Sequence, residues 1–278
     1  MEENFIYKYV IFILVSYMPV PAAVGEMKTK PTQQAVRTLM AAGLNPDFVV
    51  ARSSTQIDRP RKEKLALFSN VDKDHVIGSP DIDSIYKVPL MFEQQKFGEK
   101  LLHSFGLHPR VKSGLRKWRE MVRRIETAKK EVKIGVIGKY FSTGDFTLSD
   151  AYISVIEALK HASWVQGCIP KLFWLNSEAY EKSPAKLKEL SKLDGVVIPG
   201  GFGSRGIEGK IMCAKYAREH KIPFLGICYG FQMAVIEFAR NVCGIKNAST
   251  EEVKKDPANN VICILPEQEE VQGLGGTL

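Results

Sequence analysis

The feature that most constrains the fold is a short apolar segment that leads into a cysteine between two glycines. Residues 222–227 are mainly apolar with a β-branched residue at each end, and apolar residues recur at helical spacing from Phe231 onward. This pattern predicts a buried strand that meets a helix at Cys228. Gly226 and Gly230 flank the cysteine, as glycines flank the serine of the Gly-x-Ser-x-Gly elbow, where they permit the sharp turn that exposes a nucleophile.

A thiol at this position has two interpretations. At the first turn of a helix, the positive end of the helix dipole favours the thiolate, which is the nucleophilic form. The alternative is an inert, buried cysteine that happens to lie between two glycines. The elbow favours the nucleophile, because an inert thiol does not need such a turn.

A glycine-rich loop follows another apolar strand upstream. The strand predicted at residues 194–198 runs into Pro-Gly-Gly-Phe-Gly-Ser-Arg-Gly, and a further helix begins near Glu208. Backbone N–H groups of such a loop can face an oxyanion. The loop alone is weak evidence, since any tight strand-to-helix connection can use glycine. Combined with the elbow, it indicates a site where two strands end.

Alternating strands and helices predict the fold class. Besides the two strands above, strands are predicted at residues 47–51, 132–140 and 171–175, and helices at 35–42, 88–106, 150–162, 184–192 and 208–220. This alternation predicts an α/β fold with a doubly wound parallel sheet in the second part of the chain. A site is expected at the carboxyl ends of its strands.

The positive charge is concentrated between the two parts. Nine basic and two acidic residues lie between Arg110 and Lys130, whereas the whole chain has a net charge of +8. Five apolar residues share one face of the helix predicted there, which indicates an amphipathic helix with a solvated basic face. A phosphate-binding helix is the alternative. No zinc-finger or RNA-recognition motif supports binding to nucleic acid.

Composition and the amino terminus predict a cytoplasmic protein without a membrane anchor. The five cysteines form no Cys-x-x-Cys pair, which favours a reducing compartment over a disulfide framework. The apolar run from Phe5 to Val20 could be a signal peptide. However, Glu2 and Glu3 make its start acidic, and the run is short for a membrane span. We expect a buried strand there instead.

Two polar segments in the first part have open interpretations. Lys-Thr-Lys-Pro-Thr-Gln, from Lys28 to Gln33, is either an anion cradle or an ordinary helix-capping turn. Asp81 and Asp83 could be a metal-binding pair, but a polar loop is the better interpretation. No metal site is predicted.

These motifs together closely resemble the CTP synthase family, whose glutamine-hydrolysing portion is a class I glutamine amidotransferase. Pro-Gly-Gly-Phe-Gly, Gly-Ile-Cys-Tyr-Gly-Phe-Gln and Lys-Thr-Lys-Pro-Thr-Gln carry the resemblance, which extends from about Val15 to Leu278. It implies three regions. Residues 1–103 would be the C-terminal part of a nucleotide-binding synthetase domain, residues 104–131 a basic helical linker, and residues 132–278 a glutamine amidotransferase domain truncated at its C-terminus.

The resemblance also implies residue roles. Cys228 would be the nucleophile that forms a glutamyl thioester. Tyr229 and Phe231 replace the more usual leucine and methionine of the glutamine pocket, whose implied members are Gly201, Tyr229, Gly230, Phe231, Gln232 and Glu251. UTP or CTP would contact Lys28, Thr29, Lys30, Pro31, Thr32, Gln33 and Lys64. ATP would contact Pro80, Asp81 and Ile82.

The implied reaction is the ATP-dependent amination of UTP to CTP with ammonia from glutamine. The family uses ATP with Mg²⁺ as a substrate complex and GTP as an activator, and no resident cofactor is expected. The chain departs from the family pattern in three further ways. It lacks a Gly-x-x-x-x-Gly-Lys-Ser/Thr phosphate loop, it carries extra residues between Phe141 and Leu148, and its five histidines all precede Cys228, whereas the family's His-x-Glu pair lies downstream.

We therefore expect a chain truncated at both ends and incomplete for catalysis. It would form a homo-oligomer or assemble with full-length subunits. One interpretation is an incomplete CTP synthase, and another is a non-catalytic paralogue that modulates full-length subunits. A free-standing cysteine hydrolase is the weakest alternative, because it leaves the residues before Val132 unexplained.

Overall fold

The computed structural model describes residues 10–23, 25–110, 114–138, 142–143, 146–147, 152–201, 203–253 and 258–264. The chain divides into two compact units, Met1–Arg123 and Arg124–Leu278. Each unit contains a parallel sheet whose strands alternate with helices. The α/β class predicted from the sequence is thus confirmed.

Unit 1 is built on a three-stranded parallel sheet. The strands, in spatial order, are β1 (Ile13–Tyr17), β2 (Phe48–Ser53) and β3 (Val76–Pro80). Helix α1 (Lys30–Ala41) connects β1 to β2, and α2 (Arg59–Ser69) connects β2 to β3. The central strand β2 is almost completely buried, as predicted.

Strand β1 differs from the prediction of a buried strand. It occupies the edge of the sheet and leaves Ile13, Val15 and Tyr17 exposed. Val15 is paired with Val50, so both side chains lie on the same face. That face carries a core cluster over the two other strands, formed by Phe48, Val50, Ile77 and Phe97, whereas Val15 is 62% exposed.

The helix predicted at residues 88–106 is broken into two. Helix α3 (Val88–Gln94) ends before Gln95, and α4 (Phe97–Ser104) begins after Lys96, whose φ is +54°. The side-chain amide of Gln95 accepts a hydrogen bond from the N–H of Gly78 at 2.9 Å. It also donates one to the carbonyl oxygen of Gly78 at 2.7 Å. The break therefore allows Gln95 to satisfy the backbone of β3, which lies at the edge of the sheet.

Helix α5 (Arg116–Thr127) lies in the basic segment, as predicted, and spans the boundary between the units. Short 3₁₀ turns at Lys73–His75 and Ile85–Lys87 complete unit 1. None of the helices in the described part of the chain has both the length and the apolar character needed to cross a bilayer.

Unit 2 contains a four-stranded parallel sheet and two small strand pairs. Its strands are β4 (Lys130–Gly138), β5 (Ser142–Thr143), β6 (Phe146–Thr147), β7 (Cys168–Asn176), β8 (Gly195–Ile198), β9 (Phe224–Gly226), β10 (Ser249–Thr250) and β11 (Asn260–Ile262). The main sheet has the order β7-β4-β8-β9, while β5 pairs with β6 and β10 with β11. The helices are α6 (Ile153–Val165), α7 (Ser177–Lys182), α8 (Ile207–Glu219) and α9 (Tyr229–Asn241).

Several local predictions for unit 2 need correction. Pro184–Lys192 is a 3₁₀ helix, and α7 was not predicted. Strand β9 has only three residues and leaves Leu225 53% exposed, because it lies at the edge of the sheet rather than inside it. Of the Phe141–Leu148 segment, only the backbone of β5 and β6 lies within the described residues.

An ion pair joins helices α8 and α9 inside unit 2. The Arg218 guanidinium donates to both carboxylate oxygens of Glu237, at 2.7 to 3.2 Å, and the Glu237 side chain is only 3% exposed. Glu237 raises the pKa of Arg218, chiefly by accepting these hydrogen bonds. The ion pair thus neutralises the buried Glu237 carboxylate. It links α8, which follows the glycine loop, to α9, which follows Cys228.

Replacing Arg218 with leucine should therefore leave the buried Glu237 carboxylate without its cation. Because Arg218 is itself partly exposed, we expect a loss of about 2 kcal/mol in the free energy of unfolding. Urea denaturation of the two chains measures the difference. Lys215→Leu is the control, since its pair with Glu219 is exposed and long, at 4.0 Å, and should be worth less than about 0.5 kcal/mol. Equal losses in both variants would contradict this interpretation.

Candidate functional site

Cys228 has the backbone conformation of a nucleophile elbow. It lies between β9 and α9 with φ of +50° and ψ of −111°, a region that a non-glycine residue rarely adopts. Holding a residue there costs on the order of 1–3 kcal/mol, which the surrounding structure must offset. The N–H of Ile227 donates to the carbonyl of Ile198 at 2.9 Å, so the elbow is anchored to the end of β8. The thiol is exposed.

The two flanking glycines are required by close packing. A Cβ on Gly230 would lie 2.0 Å from the carbonyl oxygen of Ile198, and one on Gly226 would lie 2.6 Å from the nitrogen of Phe231. Both contacts are with backbone atoms, which cannot rotate away as a side chain can. The sequence pattern therefore has a steric cause, because α9 begins against the ends of β8 and β9.

The glycine-rich loop lies next to this elbow. A Cβ on Gly200 would be 3.7 Å from the Cβ of Cys228. Gly203 has a positive φ of +79° and is held at both its polar groups. Its N–H donates to Glu252 Oε1 at 2.7 Å, and its carbonyl accepts from the Tyr229 hydroxyl at 2.8 Å. Tyr229, the residue after Cys228, thus fixes the loop.

Three of the predicted site residues line one cleft of about 530 Å³. Cys228, Phe231 and Gln232 form one part of its wall, and the remaining lining residues are Thr250, Glu252, Ile262, Cys263 and Ile264. Gln232 Oε1 and Glu252 Oε2 are buried and have no hydrogen-bond partner among the described residues. Such acceptors are costly unless a ligand or solvent supplies a donor.

The other predicted members of the glutamine pocket do not line this cleft. Tyr229 is fully buried, and burial and then the Glu252 carboxylate raise the pKa of its hydroxyl. Gly230 packs on β8. A Cβ added to Gly201 would lie 3.5 Å from Lys210 Nζ. Glu251 binds the neighbouring chain segment, since its Oε2 accepts from the N–H of Ile264 at 2.9 Å.

Sequence reasoning missed the five cleft residues that follow α9, among them Glu252 and Cys263, and it missed Lys210 on α8. Glu252 and Cys263 line the cleft, and Lys210 is 2% exposed with its ammonium 4.9 Å from the centre of the Tyr229 ring. Lys210 lies among the apolar residues of α8, and this unusual position of a charged residue was the one signal in the sequence that could have identified it. Glu252 and Cys263 follow α9 in irregular chain, where periodicity gives no information about position.

The remaining thiols and histidines of unit 2 lie in different surroundings. Cys213 belongs to the core cluster around β8, and burial raises the pKa of its thiol. His220, which follows α8, stacks on Tyr216 at 3.8 Å and hydrogen-bonds to its carbonyl oxygen. Within the described residues, no group of three or more His, Cys, Asp or Glu side chains is placed to bind a metal ion.

A second cleft, in unit 1, gathers the lysines predicted for the pyrimidine nucleotide. Its volume is about 540 Å³, and Lys28, Thr29, Lys30 and Lys64 line it together with Glu26, Met27, Pro60 and Arg61. It lies where α1 begins, and the first N–H groups of a helix have no acceptor within the helix. Backbone donors and cations in one place favour an anion.

Glu26 organises this lysine cleft. It accepts from Lys28 at 2.8 Å and from Arg61 at 2.9 Å, and the hydrogen bond from Lys28 is the main reason that its pKa is lowered. Arg61 also donates to the carbonyl of Met27 at 2.9 Å. Arg61, which was not predicted, therefore fixes the loop that carries Lys28.

The rest of the predicted nucleotide residues lie elsewhere in unit 1. Pro31 is exposed, Thr32 accepts from Ser16 at 3.0 Å, and Gln33 donates to Thr29 at 3.0 Å. Pro80 is the last residue of β3, and Asp81 and Ile82 follow it. Asp81 accepts from Arg52 at 2.9 Å, and Asp83 pairs with Lys87 at 3.0 Å, so both aspartates belong to a polar loop.

Comparison with known proteins agrees with these features. Residues 1–107 match the family model "CTP synthase N-terminus", and residues 147–274 match "Glutamine amidotransferase class-I". The CTP synthase of Carboxydothermus hydrogenoformans is 46% identical over 269 residues, which are 97% of this chain and 49% of that protein. The CTP synthase of Archaeoglobus fulgidus is 44% identical over 277 residues, which are 100% of this chain and 49% of that protein.

A solved structure, the Trypanosoma brucei CTPS glutaminase domain with bound acivicin, matches with a TM-score of 0.46 and 33% identity, covering 53% of this chain and 54% of that chain. The parallel sheet, the cysteine elbow and the adjacent glycine loop define unit 2 as a class I glutamine amidotransferase fold. The chain belongs to the CTP synthase family. It spans about half the length of the curated relatives it matches.

Proposed function

We propose that unit 2 binds glutamine and that Cys228 attacks the carbon of its side-chain amide. The products would be a glutamyl thioester and ammonia. The observation that carries this proposal is the strained, exposed cysteine between two sterically required glycines. A protein holds a side chain in such a conformation when the exposed position is used.

The cleft around Cys228 supplies groups that suit glutamine. The two buried acceptors without partners, Gln232 Oε1 and Glu252 Oε2, would accept N–H groups of the ammonium and the amide. The N–H groups of Gly201 and Tyr229 are the donors that we assign to the oxyanion, since the first N–H groups of α9 have no acceptor within the helix. Glu251 would act by positioning the segment opposite Cys228.

We propose that the lysine cleft of unit 1 binds the triphosphate of UTP or CTP. Lys28, Lys30 and Lys64 would contact phosphate oxygens as point charges, and Thr29 would add a hydroxyl donor. Pro80, Asp81 and Ile82 would contact ATP. With ammonia from unit 2, this corresponds to the ATP-dependent amination of UTP to CTP, carried out in the cytoplasm by an assembly of subunits with Mg²⁺ on ATP and GTP as activator.

A non-catalytic role is the second candidate, and one observation favours it. A thiol attacking an amide needs a proton donor for the leaving ammonia, and none of the described residues that line the cleft around Cys228 is a histidine. His220, the histidine closest to Cys228 in sequence, is held against Tyr216. In this role the chain would bind longer subunits of the same family. Co-purification with a longer homologue from the native cell supports it, and a native mass equal to the monomer counts against it.

Glutamine should protect Cys228 from alkylation if the cleft is its binding site. We expect the rate of iodoacetamide reaction at Cys228, followed by peptide mass spectrometry, to fall about tenfold when glutamine saturates the cleft. Cys243 is the internal control, because it is exposed and does not line the cleft. Equal protection of both thiols, or of neither, would argue against a glutamine site.

A further inference from the structure

A second thiol lies in the cleft of the nucleophile. Cys263 follows β11 directly, its side chain is exposed, and it lines the same cleft of about 530 Å³ as Cys228. Of the five cysteines, all of which lie within the described residues, only these two line this cleft. The proposed reaction with glutamine uses one thiol and leaves Cys263 without a role.

The segment that carries Cys263 is fixed to the same framework as the elbow. Glu251 binds both neighbours of Cys263, since its N–H donates to the carbonyl of Ile262 and its carboxylate accepts from the N–H of Ile264, both at 2.9 Å. Ile262 also packs against the core cluster that contains Tyr229 and Met233. Both thiols therefore belong to one packed region, and neither is on a free chain end.

The three other thiols differ in their access to Cys228. Cys213 is completely buried, and burial raises the pKa of its thiol, which makes it unreactive. Cys168 lies at the start of β7, at the opposite end of that strand from the site, and Cys243 follows the end of α9. Cys263 is thus the thiol placed to react with an oxidised Cys228.

We propose that Cys228 and Cys263 form a reversible disulfide that protects and inactivates the nucleophile under oxidising conditions. A peroxide is the oxidant. The Cys228 thiolate attacks one peroxide oxygen, an S–O bond forms, the O–O bond breaks, and the leaving oxygen departs as water or alcohol after protonation. Cys263 sulfur then attacks the sulfenic sulfur, an S–S bond forms, the S–O bond breaks, and the hydroxide leaves as water with the Cys263 proton.

Two thiols thus lose two electrons in total, and the peroxide gains them. A dithiol reductant restores both thiols by exchange. Without Cys263, further peroxide would oxidise the Cys228 sulfenic acid to sulfinic acid, which a dithiol does not reduce. The disulfide also prevents reaction with glutamine. This part of the proposal rests on the proposed function of Cys228.

The test is to treat the reduced full chain with hydrogen peroxide, block remaining thiols with N-ethylmaleimide and map peptides by mass spectrometry without reduction. We expect a Cys228–Cys263 linked peptide that dithiothreitol removes. In Cys263→Ser, we expect the recovery of reduced Cys228 after dithiothreitol to fall about tenfold, because sulfinic acid accumulates. Cys243→Ser is the matched control and should behave like the original chain.

Two results would overturn the proposal. One is Cys228 oxidised to the same product at the same rate with and without Cys263. The other is Cys228 linked to Cys168 or Cys243 instead. Labelling of reduced Cys228 by azaserine, an electrophilic glutamine analogue, separates this proposal from the proposed function. A disulfide without azaserine labelling contradicts only the glutamine site, and labelling without a disulfide contradicts only the thiol pair.

Discussion

Gly230→Ala is expected to destabilise unit 2 and to remove the reactivity of Cys228. The added Cβ would lie 2.0 Å from the carbonyl oxygen of Ile198, so α9 must move away from the end of β8. Forcing an extra methyl into such a contact should cost about 3 kcal/mol. The movement also releases the strained turn at Cys228. Urea denaturation and the rate of Cys228 alkylation by iodoacetamide, in folded protein, measure the two effects.

Gly98→Ala is the matched control for this variant. Like Gly230, Gly98 is the second residue of a helix, but a Cβ added to it would meet no atom within 4 Å. Alanine there should stabilise the helix by roughly 0.5–1 kcal/mol and leave Cys228 unchanged. If Gly230→Ala is as stable as Gly98→Ala and alkylates at the original rate, the close packing at the elbow is not what holds Cys228.

The second large effect is expected in the lysine cleft of unit 1. Replacing both Lys28 and Lys64 with alanine removes two of the cations that line it. If each makes one charge-assisted hydrogen bond to a phosphate oxygen, the affinity for UTP should fall about tenfold per lysine and about 100-fold in the double variant. Isothermal titration calorimetry with UTP at low ionic strength measures the change.

Two control variants test whether the effect on UTP affinity comes from the cleft itself. Lys62→Ala removes a neighbouring charge that does not line the cleft and should have little effect. Glu26→Gln removes the carboxylate that binds Lys28 and Arg61, so the affinity for UTP should increase a few-fold. Equal weakening by the Lys62 and Lys64 variants would show that only the overall charge matters, and that the cleft is not the binding site.

The sequence was most informative where backbone geometry restricts residue choice. At Gly226 and Gly230 only glycine fits, so the spacing around Cys228 predicted the elbow that the structure confirms. The buried strand β2 was equally clear, because uninterrupted apolar residues are typical of a strand covered on both faces. The exposure of β1 and β9 could not be predicted in this way. Whether a strand lies at the edge of a sheet depends on the topology and not on the residues of the strand.

The site beyond the elbow depends on contacts between distant segments. Tyr229 was expected in the glutamine pocket because the family resemblance implied it, but its side chain packs inward and binds the glycine loop. Glu252 reaches Gly203 across 49 residues of sequence. A local pattern cannot show such a contact, because it depends on where the chain returns after α9. The break at Gln95 has the same origin, since its partner Gly78 lies in another element.

The most direct test of the proposed glutamine site is covalent labelling of the folded 278-residue chain by azaserine, with the modified residue located by peptide mass spectrometry. We expect one label per chain, on Cys228, that glutamine prevents, that Cys228→Ala abolishes and that Cys243→Ala leaves intact. Labels spread over the exposed cysteines Cys228, Cys243 and Cys263 without protection by glutamine would contradict it, because the elbow would then expose a thiol without a glutamine-binding cleft around it.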